Sequence, residues 1–203
     1  MFTDINSYKP SFLEQIVIDT YQQLGISHPS EIDMYTIADH FGLSIMELDV
    51  RSKVMGSTIV IDSRLYPEEQ REDFFHELTH AIRHAGNQLG MTDLFREAQE
   101  TEANRMPYYW LVPSFMLIEQ IDLSLPLPWL IKQLAEIFNV TEKFMEKRLQ
   151  LLKARIEINA AKHQLCAAME KVPKYALIRT IGLTEYYCDA LGNVLFTRRR
   201  AEL

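Results

Sequence analysis

The sequence predicts an α+β fold, mainly helical, with a small β-sheet, a pair of helices after its central motif and a C-terminal β-hairpin. Three observations predict it. Apolar residues recur at helical spacing between glycine and proline stops over most of the chain. A β-branched run interrupts them at 56–61, and the texture turns to β-rich runs after Pro173. With 203 residues, 47% hydrophobic and 24% charged, the chain is long enough for one sizeable core with at most a small appendage. The expected division is 1–125, carrying the central motif, and 126–203, packed on the first part as one unit.

Ser11 to Leu24 reads as the first helix. Ser11 caps it, Glu14 stands three residues on as in a capping box, and Gly25 ends it. Ser30 to Phe41 reads as a second helix stopped by Gly42. Leu43 to Leu48 alternates weakly and Gly56 to Ile61 is a stronger strand, so the two predict a small sheet. Pro67 opens the next helix at its first position. Glu68 and Glu69 suit the positive end of its dipole, Phe74, Leu78, Ala81 and Ile82 form its apolar face, and Gly86 stops it. After a loop at 87–92, Asp93 to Met106 is helical, and Pro107 is expected to kink or end that helix.

The third helix carries His76-Glu77-Leu78-Thr79-His80, the pattern H-E-x-x-H. Four residues span slightly more than one helical turn, so both imidazoles leave one face about 6 Å apart along the axis. That suits two ligands of one tetrahedral zinc ion, while Glu77, about 100° round, is placed to reach a water on the metal. A catalytic zinc needs a third ligand and an open position. Glu100, on the following helix, is the preferred third ligand and Glu102 the alternative. Asn104, four residues beyond Glu100 on the same face, is positioned to hydrogen-bond the outer nitrogen of a ligand histidine or to brace Glu100. His84, Tyr108 and Tyr109 are candidates to contact substrate or stabilise an oxyanion.

Leu130 to Leu149 reads as helix, tight turn at Asn139, Thr141 as N-cap, and second helix: a helix-turn-helix pattern. DNA reading requires a polar, basic second helix. Here Glu142 and Glu146 stand among Lys143, Lys147 and Arg148, and the pair reads as structural. Beyond Pro173, two β-rich runs around Gly192-Asn193 predict the C-terminal hairpin.

The Phe-Phe-His-Glu-Leu-x-His run at 74–80, Glu-x-x-Ala-Asn at 100–104, Val-Pro at 112–113 and Leu-Ala-x-x-Phe-x-Val-Thr at 134–141 resemble the ImmA/IrrE family of metallopeptidases, over about Gly56 to Leu149. Pro107 departs from the usual pattern, and the C-terminal hairpin lies outside the match. The resemblance implies a zincin-like metallopeptidase core with zinc held by His76, His80 and Glu100, and Glu77 as acid/base. It also implies a protein substrate, a helix-turn-helix repressor of a phage, mobile element or stress response. By resemblance to zinc peptidases, in which a strand next to the metal lines the cleft, 56–61 is the candidate for that strand. The competing reading is a DNA-binding regulator with a structural or vestigial zinc site. A net charge of −7 and a pI near 5.4 argue against broad, sequence-independent binding of nucleic acid. Cys166 and Cys188 form no framework and read as small buried thiols. No signal-peptide pattern and no apolar run of spanning length is read, so a cytoplasmic location is expected.

Overall fold

A computed structural model describes residues 5, 8–83, 93–171, 176–181, 184–188 and 194–199. The chain divides into two compact units, Met1–Ile156 and Glu157–Leu203. The stretch 126–156 therefore belongs with the first unit. The fold is α+β and mainly helical.

In the first unit, α1 (Phe12–Leu24) starts at the expected capping box. The Ser11 hydroxyl accepts from the Glu14 N–H, and the Glu14 carboxylate accepts from the Ser11 N–H. The second helix is shorter than the sequence suggests. Pro29–Glu31 forms a separate 3-10 turn, and α2 (Met34–His40) begins only at Asp33, whose carboxylate accepts from the Thr36 N–H at 2.7 Å. The two capping groups compete: Glu31 is held by the N–H groups of Ser27 and His28, and Asp33 nucleates the helix proper.

The sheet has the order β1-β3-β2, with β1 (Ser44–Leu48) parallel to β3 (Thr58–Asp62) and β2 (Lys53–Met55) antiparallel to it. The predicted strand 56–61 begins later than read, because Gly56 at φ +62° belongs to the turn joining β2 to β3. β3 is central, with Ile59, Val60 and Ile61 all buried. The strand beside the metal motif is consequently β2, which no propensity announced.

α3 (Pro67–Arg83) buries Phe74, Phe75, Leu78 and Thr79 and leaves His76, Glu77 and His80 on a half-open side. Ala81 and Ile82, read as core, are only partly buried. The expected stop at Gly86, the loop 87–92 and His84 lie outside the described residues. α4 (Asp93–Leu111) does not end at Pro107. The proline forfeits one backbone hydrogen bond, yet Met106, Tyr109, Trp110 and Leu111 are all buried, and tertiary packing carries the helix another turn. Trp110 is the hub of the core. It stacks on Phe75 at 5.7 Å, meets Tyr21 and Phe41 edge-on, and its carbonyl accepts from the Tyr21 hydroxyl at 2.6 Å. Helices α1 to α4 thus converge on one ring system.

After α5 (Ser114–Gln120), α6 (Leu127–Phe138) ends at Asn139 in the left-handed conformation, and the Thr141 hydroxyl caps α7 (Glu142–Lys171) by accepting from the Phe144 N–H. The helix-turn-helix pattern is present, but α7 turns Phe144, Met145, Arg148, Leu149 and Leu152 into the core. Arg148, 1% exposed, donates to the Val112 carbonyl and to Ser114, and pairs with Glu14 at 3.3 Å. One of the basic residues of the second helix of the pair is therefore held inside the protein.

The second unit holds a three-stranded antiparallel sheet, β4 (Ala176–Ile181), β5 (Thr184–Cys188) and β6 (Val194–Arg199), in that order. β5 and β6 are the arms of the predicted hairpin and β4 extends it. The Gly192-Asn193 turn is outside the described residues. Cys166 is exposed, contrary to the buried thiol expected. No helix among the described residues is long and apolar enough to cross a membrane.

Candidate metal centre

Three walls frame the site. α3 supplies the floor, β2 and the residues before it one side, and the middle of α4 the other. Between them lies a cleft of about 390 Å³ lined by His76, Glu77, His80 and Glu100 together with Arg51 to Val54, Arg96 and Gln99. α3 faces this cleft with its polar stripe because its apolar stripe, Phe74, Phe75 and Leu78, is drawn to the core on the other side.

The structure brings His76, His80 and Glu100 together, with their ligand atoms within 4.8 Å of one another. The two Nε2 atoms are 3.1 Å apart, and each lies 3.5 Å from an oxygen of Glu100. Four ligands at about 2.0–2.1 Å around a tetrahedral ion sit about 3.3 Å from one another. The three side chains therefore lie close enough together to hold one metal ion. Glu100 is the most open of the three, its side chain 53% exposed. Its Oε1 accepts from the Asn104 amide at 3.3 Å, so Asn104 braces the carboxylate from one turn away. Glu102, the alternative ligand, forms an ion pair with Arg83 instead.

Glu77 stands beside this triangle. Burial, the Asp73 carboxylate and Glu100 push its pKa up to about 7, against the opposing pull of the Val54 N–H and Arg51. The Val54 N–H is how β2 bears on the site: the backbone of an edge strand opposes the rise in the Glu77 pKa.

Among the other candidates, Tyr108 lines a hollow next to His76 and stacks on Phe144 at 4.3 Å. Tyr109 points the other way. It is buried, with the Arg148 guanidinium over its ring at 5.3 Å, so neighbours in sequence are divided by the helix between site and core.

Residues 51–150 match the Peptidase M78 family model, described as the IrrE N-terminal-like domain. The phage-like element PBSX protein XkdA of Bacillus subtilis (strain 168) is 39% identical over 149 residues, covering 71% of this chain and 75% of that protein. The chain belongs to this family. A second protein of that organism, the uncharacterized protein YqaB, is 28% identical over 148 residues, covering 71% of this chain and 86% of that one. Among solved structures, a Mycobacterium tuberculosis transcriptional regulator aligns with a TM-score of 0.49 at 17% identity, over 71% of this chain and 47% of that chain.

The family match takes in β2, α3, α4, α6 and the start of α7, and so includes His76, His80 and Glu100, which could hold a metal ion. The residues that motif reading missed are Arg51, Lys53, Val54 and Gln99 in the cleft and Glu72 and Asp73 in the hollow behind His76. Glu72 and Asp73 carried a usable signal, since they precede His76 by four and three residues on one helix face. Val54 carried none, because its contribution is a backbone N–H.

Proposed function

We propose that the protein is a zinc-dependent endopeptidase that hydrolyses a peptide bond in a protein regulator, a helix-turn-helix repressor of a phage or mobile element or of a stress response. The observation that carries this reading is the triangle of His76, His80 and Glu100, sized for one tetrahedral ion, with the Glu77 carboxyl beside it. Two imidazoles and one carboxylate are the donor set that suits zinc and leaves a position open. When bound, the ion supplies a Lewis acid that acidifies water and polarises a carbonyl.

The chain's own residues do the rest. Glu77, with a pKa raised to about 7, is matched to taking a proton from the attacking water and returning it to the leaving amine near neutral pH. The Val54 N–H favours the ionised form of that carboxylate, and Asn104 donates to Glu100. The repressor as substrate is supported by the kinship with XkdA, a protein of a phage-like element.

The competing view, a regulator acting through DNA, is disfavoured by α7: its Arg148 is bound to Glu14, and Phe144, Met145 and Leu149 are buried. The experiment is to incubate the protein and zinc with helix-turn-helix repressors encoded beside its gene and to read cleavage by mass spectrometry, for the parent and for Glu77→Gln. The parent is expected to cut one repressor at one bond. The Gln variant is expected to fold and bind zinc normally but to cut about 100-fold more slowly or worse. If the Gln variant relieved repression at parental levels with the repressor intact, a binding role would replace the peptidase.

A further inference from the structure

The polar stripe of α3 does not stop at the metal triangle. His80, His76, Glu72 and Glu69 follow at intervals of four, four and three residues, so they lie on one face over about 16 Å of helix. An extended peptide rises about 3.3 Å per residue, so this face matches about five residues of substrate. The triangle and Glu77 occupy one end. Behind His76, α3, α4 and the start of α7 enclose a hollow of about 180 Å³, lined by Glu72, Asp73, Asn104, Pro107, Tyr108 and Phe144 as well as His76 itself. It shares His76, Asn104 and Asp73 with the metal centre, but its Glu72, Pro107, Tyr108 and Phe144 have no part in the proposed hydrolysis.

The lining has a definite character. Pro107, the Tyr108 ring and Phe144 give apolar walls, the two rings stacked at 4.3 Å. Two carboxylates, Glu72 and Asp73, stand on its floor, and no lysine or arginine lines it. Glu72 accepts from the Thr141 hydroxyl at 3.3 Å and Asp73 from the Ser52 hydroxyl at 2.6 Å; among the described residues neither forms an ion pair. Glu72 is half-buried, and its pKa is raised to about 7, mainly by that burial, as befits a carboxylate short of a cation. Lys143 and Lys147 line an adjoining, wider depression that shares Glu72, Tyr108 and Phe144 with the hollow and adds Glu69 and Glu146.

The other side of the triangle carries cations as well as carboxylates. Arg51, Lys53 and Arg96 line the cleft next to β2 and α4. Of the three, Arg96 is ion-paired, with Asp93. In a chain of net charge −7, the cleft next to β2 thus carries cations beside Glu77 and Glu100, whereas Glu72 and Asp73 are the charged side chains other than His76 that line the hollow.

We infer that the hollow behind His76 is a side-chain subsite that selects a lysine or arginine of the peptide, near the scissile bond and on its α7 side. The stem of such a side chain lies against Pro107, Tyr108 and Phe144, and its ammonium or guanidinium group meets Glu72 and Asp73. This inference rests on the peptidase reading for its biological meaning, but the subsite is a binding property in its own right.

The test uses a positional-scanning library of decapeptides, with Lys, Arg, Gln or Glu fixed at one position at a time. Cleavage by the zinc-loaded protein is read by mass spectrometry. Binding of the fluorescein-labelled peptides to Glu77→Gln protein is read by anisotropy. Lys or Arg at one fixed position is expected to raise both over Gln by about tenfold, the scale of a charge-assisted hydrogen bond, with Glu there the worst. Glu72→Gln, nearly isosteric, is expected to remove the preference while leaving turnover of the Gln peptide unchanged; Asp73→Asn, whose charge also acts on Glu77, is read by anisotropy alone and is expected to weaken binding of the Lys and Arg peptides. Glu72→Lys is expected to restore use of the Glu peptide. Cleavage or binding with no basic preference, or a preference that survives in both carboxamide variants, overturns the subsite and leaves the peptidase reading standing. Binding with the expected charge pattern but no cut peptide or repressor upholds the subsite and removes the peptidase.

Discussion

Replacing Arg148 by Met tests whether the helical pair α6–α7 is a structural element. The guanidinium is 1% exposed and the Glu14 side chain 5%, and the two face each other at 3.3 Å. Arg148 also donates to the Val112 carbonyl at 2.8 Å and to Ser114 at 2.6 Å, and the hydroxyls of Tyr8 and Ser114 both reach Glu14. Burial pushes the Glu14 carboxyl up, but Arg148 and the hydrogen bonds from Ser11, Ser114 and Tyr8 outweigh it and hold its pKa below the usual value. Methionine keeps the stem and deletes the charge, leaving a buried carboxylate without its cation. Breaking a buried pair in this way costs about 3–5 kcal/mol. For a chain of this size that corresponds to a fall in melting temperature of roughly 6–20 °C.

The pH dependence has a definite sign. In the parent, a depressed Glu14 pKa contributes stability that is full above the unfolded carboxyl value of about 4.3 and is lost as pH falls through the folded value. In the variant, burial without Arg148 raises that pKa, so the penalty is full at pH 7 and fades as pH falls toward 4. The stability gap between the two proteins is therefore expected to narrow on acidification. Adding Glu14→Gln is expected to recover about half of the loss or more. Urea unfolding followed by tryptophan fluorescence is the assay, since Trp110 is fully buried whereas Trp129 is already 64% exposed. A loss below about 1 kcal/mol, or a gap that stays constant from pH 7 to pH 4, would refute the reasoning and return Arg148 to the surface.

Three further outcomes check the metal site. Asn104→Ala frees the Glu100 carboxylate and is expected to weaken zinc affinity about tenfold or more in a chelator competition; unchanged affinity would deny Asn104 its bracing role. Glu100→Gln is expected to lose zinc binding while Glu102→Gln keeps it, because Glu102 is engaged by Arg83; the reverse order in isothermal titration would exchange the two assignments. His80→Ala is expected to lose zinc and cleavage together, whereas Glu77→Gln separates them, so a variant set in which metal content and activity always fall in step would deny Glu77 its proton-transfer role.

The local patterns of this chain were legible because local geometry makes them. Two histidines four apart fall on one face of any α-helix, and the capping box at Ser11 and Glu14 needs only three consecutive peptide units. Asn139 in the left-handed region and Thr141 beyond it mark the turn between α6 and α7 for the same reason. What the local pattern could not supply was decided by partners distant in sequence. Lys53–Met55 is a strand only because β3 pairs with it, and a three-residue run has no period to read. Pro107 argues for a helix end on backbone grounds, yet the burial of Met106, Tyr109 and Trp110 outweighs one missing hydrogen bond. Tyr108 and Tyr109 look alike in sequence, and the 100° between them sends one to the hollow beside His76 and the other under Arg148. Arg148 meets Glu14 across 134 positions, a pairing that no spacing rule anticipates and that only the shared core brings within reach. The sequence by itself determined which groups the site has at its disposal. Packing decided which of them face the cleft, because a side chain's direction is set by the neighbours its helix must bury.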